Sequence, residues 1–172
     1  MGCTGSGGCD TPRPVSTVQS VPAISLVIPV FNEEESLAAL MKALDAALPG
    51  LPQPAEAVLV DDGSRDRSPA LLREAAATRP WLRVVRFRRN FGQTAAIAAG
   101  IDHARGPIIV ALDADLQNDP ADIPRLLARL DEGFDVVSGW RRDRKDKAVT
   151  RRLPSMVANW LIGYVTGVRI HD

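Results

Sequence analysis

The sequence has few of the residues on which thiol chemistry and zinc sites depend. Its two cysteines, Cys3 and Cys9, both lie in the glycine-rich start of the chain. The rest of the chain therefore has no thiol for a disulfide, a zinc site or cysteine catalysis, which favours a cytoplasmic protein. The two histidines, His103 and His171, are too few and too far apart in sequence to indicate a metal cluster.

Net charge and long apolar segments are lacking as well. Lysine plus arginine number 21 and aspartate plus glutamate number 21, so overall charge gives no reason to expect nucleic acid as a partner. No apolar segment typical of a secretory signal follows Met1. No apolar run reaches the roughly 18 residues that predict a membrane-spanning helix.

The pattern of residues predicts a leader followed by one folded domain. Residues 1–22 are rich in Gly, Ser, Thr and Pro without periodicity, which is typical of disorder. From residue 23 short apolar runs alternate with helical patterns, as in repeated βα units. The composition, 45% hydrophobic over 172 residues, suits one domain at 23–172. The predicted fold class is α/β, with a mainly parallel sheet flanked by helices.

The apolar runs predict five strands, and their continuous apolar character suits burial on both faces. They are residues 24–30, 57–60, 82–87, 108–112 and 135–138. The helical patterns cover residues 36–48, 69–78, 94–103, 121–132 and 153–166. Ser68 before Pro69 and Asp119 before Pro120 each predict an N-cap followed by proline at the first helical position.

Acidic side chains follow three of these strands, at the sheet edge where open α/β sheets bind ligands. The acidic residues and their polar or aromatic neighbours are Phe31, Asn32 and Glu33 after the first strand, Asp61, Asp62, Gly63 and Ser64 after the second, and Asp113, Asp115 and Gln117 after the fourth. Like charges on one edge repel, so a shared cation or polar ligand is their most economical explanation. The alternative is that these residue types only form turns and caps.

Asp113 and Asp115 are separated by one residue, so in an extended chain both carboxylates point to the same side. Such oxygens suit a hard divalent ion, Mg²⁺ or Mn²⁺, that keeps positions open for phosphate oxygens. Gln117, next in the alternation, could add a carbonyl oxygen. At the second strand end, Asp61 and Asp62 could accept hydrogen bonds from a nucleobase or ribose.

Five motifs occur in an order that resembles the family 2 glycosyltransferases with the GT-A fold. They lie at residues 28–33, 60–64, 89–93, 113–117 and 139–141. The resemblance runs from about Ile24 to Asp172. The motif at residues 89–93, Arg-Asn-Phe-Gly-Gln, is typical of the branch that includes dolichyl-phosphate mannosyltransferases and bacterial polyprenyl-phosphate glycosyltransferases.

The resemblance implies an inverting transfer of a sugar from a UDP- or GDP-sugar to a polyprenyl (dolichyl or undecaprenyl) phosphate, with a divalent metal as cofactor. It implies base and ribose contacts for Pro29, Phe31, Glu33, Asp61 and Asp62. Asp113 would touch the nucleotide or sugar and, with Asp115 and Gln117, hold the metal. The implied acceptor-phosphate residues are Arg141, Arg151 and Ser155. Asp172 matches an aspartate proposed for the acceptor side, and with Asp113, Asp115 and Arg141 completes the implied catalytic set.

Residues 139–152 hold seven basic side chains against two acidic ones. Arginine suits phosphate contacts, and a basic stretch before an apolar helix with Trp160 and Tyr164 suits an anionic membrane surface. The alternative is a solvated loop before an ordinary core helix. Together with the resemblance, this segment leads us to expect a cytoplasmic protein held peripherally at the inner face of the membrane.

Other functions stay open. Family members continue past the position of Asp172, which favours a truncated, catalytically silent nucleotide-sugar-binding module. A family 2 transferase with a hydroxyl acceptor is a further alternative, in which the Asp172 carboxylate would take the proton. An aspartate-nucleophile phosphatase is disfavoured because the spaced aspartates follow the fourth strand rather than the first. A nicotinamide-dependent dehydrogenase is disfavoured because no Gly-x-Gly-x-x-Gly turn follows the first strand.

Overall fold

A computed structural model of the protein describes residues 21–139. The chain divides into two compact units, Met1–Ala121 and Asp122–Asp172. The predicted leader up to residue 20, the basic segment beyond Gly139 and the predicted helix at 153–166 lie outside the described residues. The assignment of residues 23–172 to one domain stays a prediction.

The first unit is built on a four-stranded sheet in which every pairing is parallel. The strands are β1 (Ile24–Val30), β2 (Ala55–Asp61), β3 (Leu82–Arg86) and β4 (Ile108–Ala111). Their order across the sheet is β3-β2-β1-β4. This arrangement confirms the predicted α/β fold, and β1 and β2 together form the centre of the core.

The prediction that strands are buried on both faces is confirmed for β1 and β2 only. Most residues of these central strands are completely buried. In β3 and β4, half-buried and exposed residues alternate, so that Val84 and Ile109 are exposed. The prediction is wrong for these two strands because they lie at the edges of the described sheet, where flanking helices cover it less fully.

Three helices flank this sheet: α1 (Leu37–Ala47), α2 (Ser68–Thr78) and α3 (Gln93–His103). Connections between parallel strands are right-handed, so α1 and α2 lie on one face and α3, on the return path to β4, lies on the other. The core stripe of α1 has helical spacing and consists of Leu37, Leu40, Met41 and Leu44. On the opposite face, Gly100 lets α3 approach β1, because a Cβ there would lie 2.3 Å from Val27 Cγ1.

The second unit begins with α4 (Ile123–Leu130), which follows a 3₁₀ turn at Pro120–Asp122. Asp119 Oδ1 accepts a hydrogen bond from the Ala121 N–H at 2.9 Å, so Asp119 caps the 3₁₀ turn, whereas the N-cap of α4 itself is Asp122. Among the helices of residues 21–139, none is both long and apolar enough to cross a membrane.

Two predicted details are wrong. Ser68 is the first residue of α2 rather than its cap, because its hydroxyl accepts from the Glu33 N–H and donates to Asp66. Residues 135–138 form no strand. A strand needs a neighbour for its backbone groups, and no described segment pairs with this one, in which Val136 is 84% exposed.

A buried ionic network ties the amino ends of the strands together. Glu56, only 2% exposed, accepts from Ser25 Oγ at 2.8 Å and from the Arg105 backbone N–H at 2.8 Å. Its second oxygen accepts from Arg105 Nη2 at 2.7 Å. Burial by itself raises the pKa of Glu56, but these hydrogen bonds outweigh it and hold the pKa below its ordinary value.

This network predicts an acid-sensitive contribution to stability. A carboxyl whose pKa is lowered by folding stabilises the protein above its unfolded pKa, and the stabilisation is lost as pH falls through the folded pKa. We expect Glu56→Gln to lower the free energy of unfolding by about 1–3 kcal/mol at pH 7. The difference should shrink as pH falls below 4.5, the ordinary value for this group. Urea unfolding of both proteins between pH 3 and 7 measures it, and a constant difference would contradict the network's role.

Candidate functional site

The strand order reverses between β1 and β4. The chain moves from β1 through β2 to β3 and then returns to β4 on the other side of β1. In open parallel sheets such a switch leaves a crevice beyond the carboxyl ends of the two strands, and ligands bind there. The segments that follow β1, β2 and β4 therefore define the candidate site.

The loops after β1 and β2 are joined by reciprocal hydrogen bonds. The Asn32 N–H donates to Ser64 Oγ at 3.0 Å, and Asn32 Oδ1 accepts from the Arg65 N–H at 2.9 Å. Further along, the Glu33 N–H donates to Ser68 Oγ at 2.9 Å. Asn32 has a φ of 55°, a conformation that asparagine tolerates better than most residues. These contacts fix the two loops to each other at the edge of the sheet.

Three residues predicted to contact the base lie on β1 and its loop. Pro29 is half-buried in β1, paired with Val60. Phe31, directly after the strand, is 44% exposed, which leaves its ring accessible for stacking. The Glu33 carboxylate accepts from Ser36 Oγ at 2.5 Å and so already has a partner within its own loop.

Asp61, the last residue of β2, is completely buried. Its Oδ1 accepts from the Ser64 N–H at 2.9 Å and closes the turn, but its Oδ2 has no hydrogen bond among the described residues. Arg86 Nε lies 3.3 Å from this oxygen, close enough for charge attraction without hydrogen-bond alignment. A buried polar atom without a partner costs about 1–3 kcal/mol, so Oδ2 is a strong acceptor for a ligand N–H or O–H.

The Asp62 carboxylate forms hydrogen bonds with a different part of the chain. Its Oδ1 accepts from the Phe91 N–H at 2.7 Å, and its Oδ2 accepts from the Gly92 N–H at 2.9 Å. Beside it, Gly63 has a φ of 70°, and a Cβ there would lie 2.3 Å from the Arg89 carbonyl carbon. The turn after β2 therefore packs directly against residues 89–92, which we call the α3 entry loop.

The α3 entry loop leads to the segment after β4. Gln93, the first residue of α3, donates from Nε2 to Asp113 Oδ1 at 3.0 Å. Asp113 is half-buried. The structure thus connects two predicted acidic strand ends, those of β2 and β4, through a loop that lies far from either in sequence.

The geometry expected around Asp115 is wrong. The chain turns at Ala114 and Asp115 instead of staying extended, and Leu116 has a φ of 59°. Asp115 Oδ1 accepts from the Gln117 N–H at 3.0 Å, an Asx turn that competes with extended backbone. Both Asp115 and Gln117 are exposed. The part of these residues in metal binding stays a prediction.

The carboxylate and amide oxygens of this turn are of the kind that a hard divalent ion prefers. No three His, Cys, Asp or Glu side chains within residues 21–139 converge well enough to hold an ion by themselves. Mg²⁺ needs only one or two carboxylates when phosphate oxygens and water complete its coordination. Asp113 and Asp115 would supply that number, and the Gln117 side chain would add a carbonyl oxygen within the same turn.

Four predicted site residues cannot be compared with this geometry. Arg141, Arg151, Ser155 and Asp172 lie outside the described residues. Conversely, sequence reasoning assigned no individual role to Gln93 or Arg86. The motif at residues 89–93 was the available signal for Gln93, whereas an arginine ending an edge strand carries no such signal.

The contact at Gly63 predicts a sensitive position. We expect Gly63→Ala to destabilise the protein by about 1–3 kcal/mol, because the added Cβ overlaps backbone atoms and φ is positive. Gly50→Ala is the matched control, since a Cβ at Gly50 meets nothing within 4 Å. Urea unfolding compares the two, and equal stability of both variants would contradict the close contact.

Comparisons with known proteins agree with the observed fold and identify the family. Residues 25–170 match Glycosyl transferase family 2. The structure of glucosyl-3-phosphoglycerate synthase from Mycobacterium tuberculosis with Mn²⁺, UDP and phosphoglyceric acid is similar, with a TM-score of 0.64 and 22% identity. That similarity covers 85% of this chain and 50% of the other, and shows the shared fold.

Two curated relatives are much closer in sequence. Dodecaprenyl-phosphate galacturonate synthase from Rhizobium johnstonii is 48% identical over 157 residues, which are 90% of this chain and 46% of the relative. Undecaprenyl-phosphate 4-deoxy-4-formamido-L-arabinose transferase from Pseudomonas paraeruginosa is 49% identical over 154 residues, 88% of this chain and 45% of the relative. The chain thus spans about half the length of these relatives, and by sequence and fold it belongs to Glycosyl transferase family 2.

Proposed function

We propose that this chain carries the donor site of an inverting glycosyltransferase that moves a sugar from a nucleoside diphosphate to a polyprenyl phosphate. The observation that carries the proposal is the buried Oδ2 of Asp61, which has no hydrogen bond among the described residues. It lies at the carboxyl end of β2, on the same edge of the sheet as Asp113. The names of the relatives at 48% and 49% identity support the acceptor class, since both specify a polyprenyl phosphate.

The base of the donor would lie beside β1 and β2. Phe31 offers an exposed ring on which a base can stack, with Pro29 and Glu33 near it on the same segment. Asp61 Oδ2 would accept a hydrogen bond from a base N–H. Because that oxygen is buried, a side chain must move first, and the neighbouring Arg86, 57% exposed, can do so.

The diphosphate would lie toward the segment after β4. Asp115, Gln117 and Asp113 would hold a Mg²⁺ or Mn²⁺ ion together with the phosphate oxygens. That ion would supply charge stabilisation for the departing diphosphate. Asp62 would act by fixing the α3 entry loop, since both of its oxygens accept backbone hydrogen bonds from that loop. A ribose contact by Asp62 is compatible with these bonds, because a carboxylate oxygen has two acceptor positions.

The transfer needs little acid–base chemistry from the protein. An acceptor phosphate oxygen would form a bond to the anomeric carbon while the bond from that carbon to the diphosphate breaks, with inversion. A phosphate monoester has its second pKa at about 6 and is largely ionised near pH 7, so no strong base is required. Arg141, Arg151 and Ser155 would bind the acceptor phosphate, and Asp172 would lie on the acceptor side. A lipid acceptor would place the protein peripherally on the cytoplasmic face of the membrane.

Calorimetric titration of the chain with UDP and GDP, each with and without Mn²⁺, tests the donor site. We expect one nucleotide to bind more tightly with the metal than without it, because the ion would attract the negative charges of both the carboxylates and the diphosphate. That nucleotide then selects the sugar donors for a transfer assay with undecaprenyl phosphate. A folded sample that binds neither nucleotide would contradict the proposal.

The variant Asp115→Ala tests the contribution of the metal ion to nucleotide binding. We expect it to weaken nucleotide binding in Mn²⁺ by about 10- to 100-fold and to leave metal-free binding unchanged, since an exposed ligand of the ion is lost without disturbing the core. Asp102→Ala, which removes another exposed carboxylate, is the control. Equal Mn²⁺-dependent affinity of Asp115→Ala and the wild-type protein would exclude Asp115 as a metal ligand.

A further inference from the structure

We propose that Gln93 is a positioning residue that orients the Asp113 carboxylate in the donor site, and that Asp62 holds Gln93 in place. Gln93 Nε2 donates to Asp113 Oδ1 at 3.0 Å. A hydrogen bond to an ionised carboxylate is stronger than one between neutral groups, and it restrains rotation of the acceptor. The inference rests on the proposed function, in which Asp113 touches the donor or its metal.

The backbone before Gln93 is held in place by Asp62, the residue that follows β2. The Asp62 carboxylate accepts the N–H groups of Phe91 and Gly92, the two residues that precede Gln93. Gly92 is the N-cap of α3 with a φ of 96°, a conformation that glycine adopts readily. The N-cap Gly92 has no side chain with which to cap α3, and the backbone just before the helix is held by Asp62.

The α3 entry loop is further stiffened by its own side chains. Phe91 packs edge-to-face on Phe87 with ring centroids 5.4 Å apart. The Arg89 guanidinium lies over the Phe91 ring, 4.8 Å from its centroid. Together with the close contact at Gly63, these interactions hold the loop that leads into Gln93. The Gln93 amide therefore starts from a fixed backbone, which is the condition for orienting a second side chain accurately.

The same arrangement explains how the two acidic strand ends act as one site. Asp62 follows β2 and Asp113 follows β4, with β1 between these strands in the sheet. The α3 entry loop and Gln93 connect them by hydrogen bonds. Gln93 is also the first residue of α3, so the carboxylate it contacts lies near a helix N-terminus, where negative charge is favoured.

The test is calorimetric titration of the wild-type chain, Gln93→Ala and Gln93→Glu with UDP and GDP, with and without Mn²⁺. Gln93→Glu keeps the side-chain length but replaces the donor with a second carboxylate. We expect both variants to lower the Mn²⁺-dependent affinity by about tenfold and to leave metal-free affinity unchanged. A purely structural role for Gln93 would weaken both affinities equally or neither.

Thr94→Ala, the neighbouring exposed position on α3, is the control and should keep wild-type affinity. Thermal unfolding checks that each variant is folded, which the exposure of Gln93 favours. If the wild-type chain binds a nucleotide with Mn²⁺ and both Gln93 variants match it, the positioning role is overturned and the proposed function stands. If the wild-type chain binds neither nucleotide, the proposed function fails and this inference fails with it.

Discussion

The parallel pairing of β1 with β2 is the constraint on which the candidate site depends. Val30 pairs with Asp61, and the Asp62 N–H donates to Val30 O at 2.9 Å, so both strands end at the same level. A slip of one residue would turn every side chain of a strand to the opposite face. Because both strands are buried on both faces, such a slip would also lose the fit at Gly100 and Val27. The core therefore fixes the position of the loops that interlock beyond it.

The buried acids at the two ends of the sheet differ in their hydrogen bonds. At the amino ends, Glu56 has hydrogen bonds to both oxygens, including a pair from the Arg105 side chain. At the carboxyl ends, Asp61 is equally buried but one of its oxygens has no hydrogen bond among the described residues. Arg86 Nε lies 3.3 Å from that oxygen and offers charge attraction without a hydrogen bond. Buried polar atoms normally have a hydrogen-bond partner, so this oxygen is where the proposed ligand would supply one. Glu56, by contrast, needs no ligand to explain it.

The sequence predicts the features that depend on local pattern, and fails where distant groups compete for a side chain. Apolar runs located all four strands of the described sheet, and the acidic residues after them do lie at its edge. The cap assigned to Ser68 was wrong because Glu33, 35 positions earlier, donates to the same hydroxyl. The strand expected at residues 135–138 was wrong because apolar character alone provides no pairing partner. Gln93 received no role because its contact with Asp113 depends on the order of strands in the sheet, which no local pattern encodes.

Asp61 and Asp62 show why two identical neighbours need separate explanations. Successive side chains at a strand end point in opposite directions, so the two carboxylates meet different parts of the chain. Asp62 has a structural part, since both its oxygens secure the α3 entry loop, and a ribose contact by Asp62 stays a prediction. Asp61 closes its own turn with one oxygen, and its other oxygen has the Arg86 guanidinium 3.3 Å away but no hydrogen bond among the described residues. The two acids that the sequence presents as one pair therefore have different surroundings. Asp62 builds the edge of the site, and the case for a bound donor rests on Asp61.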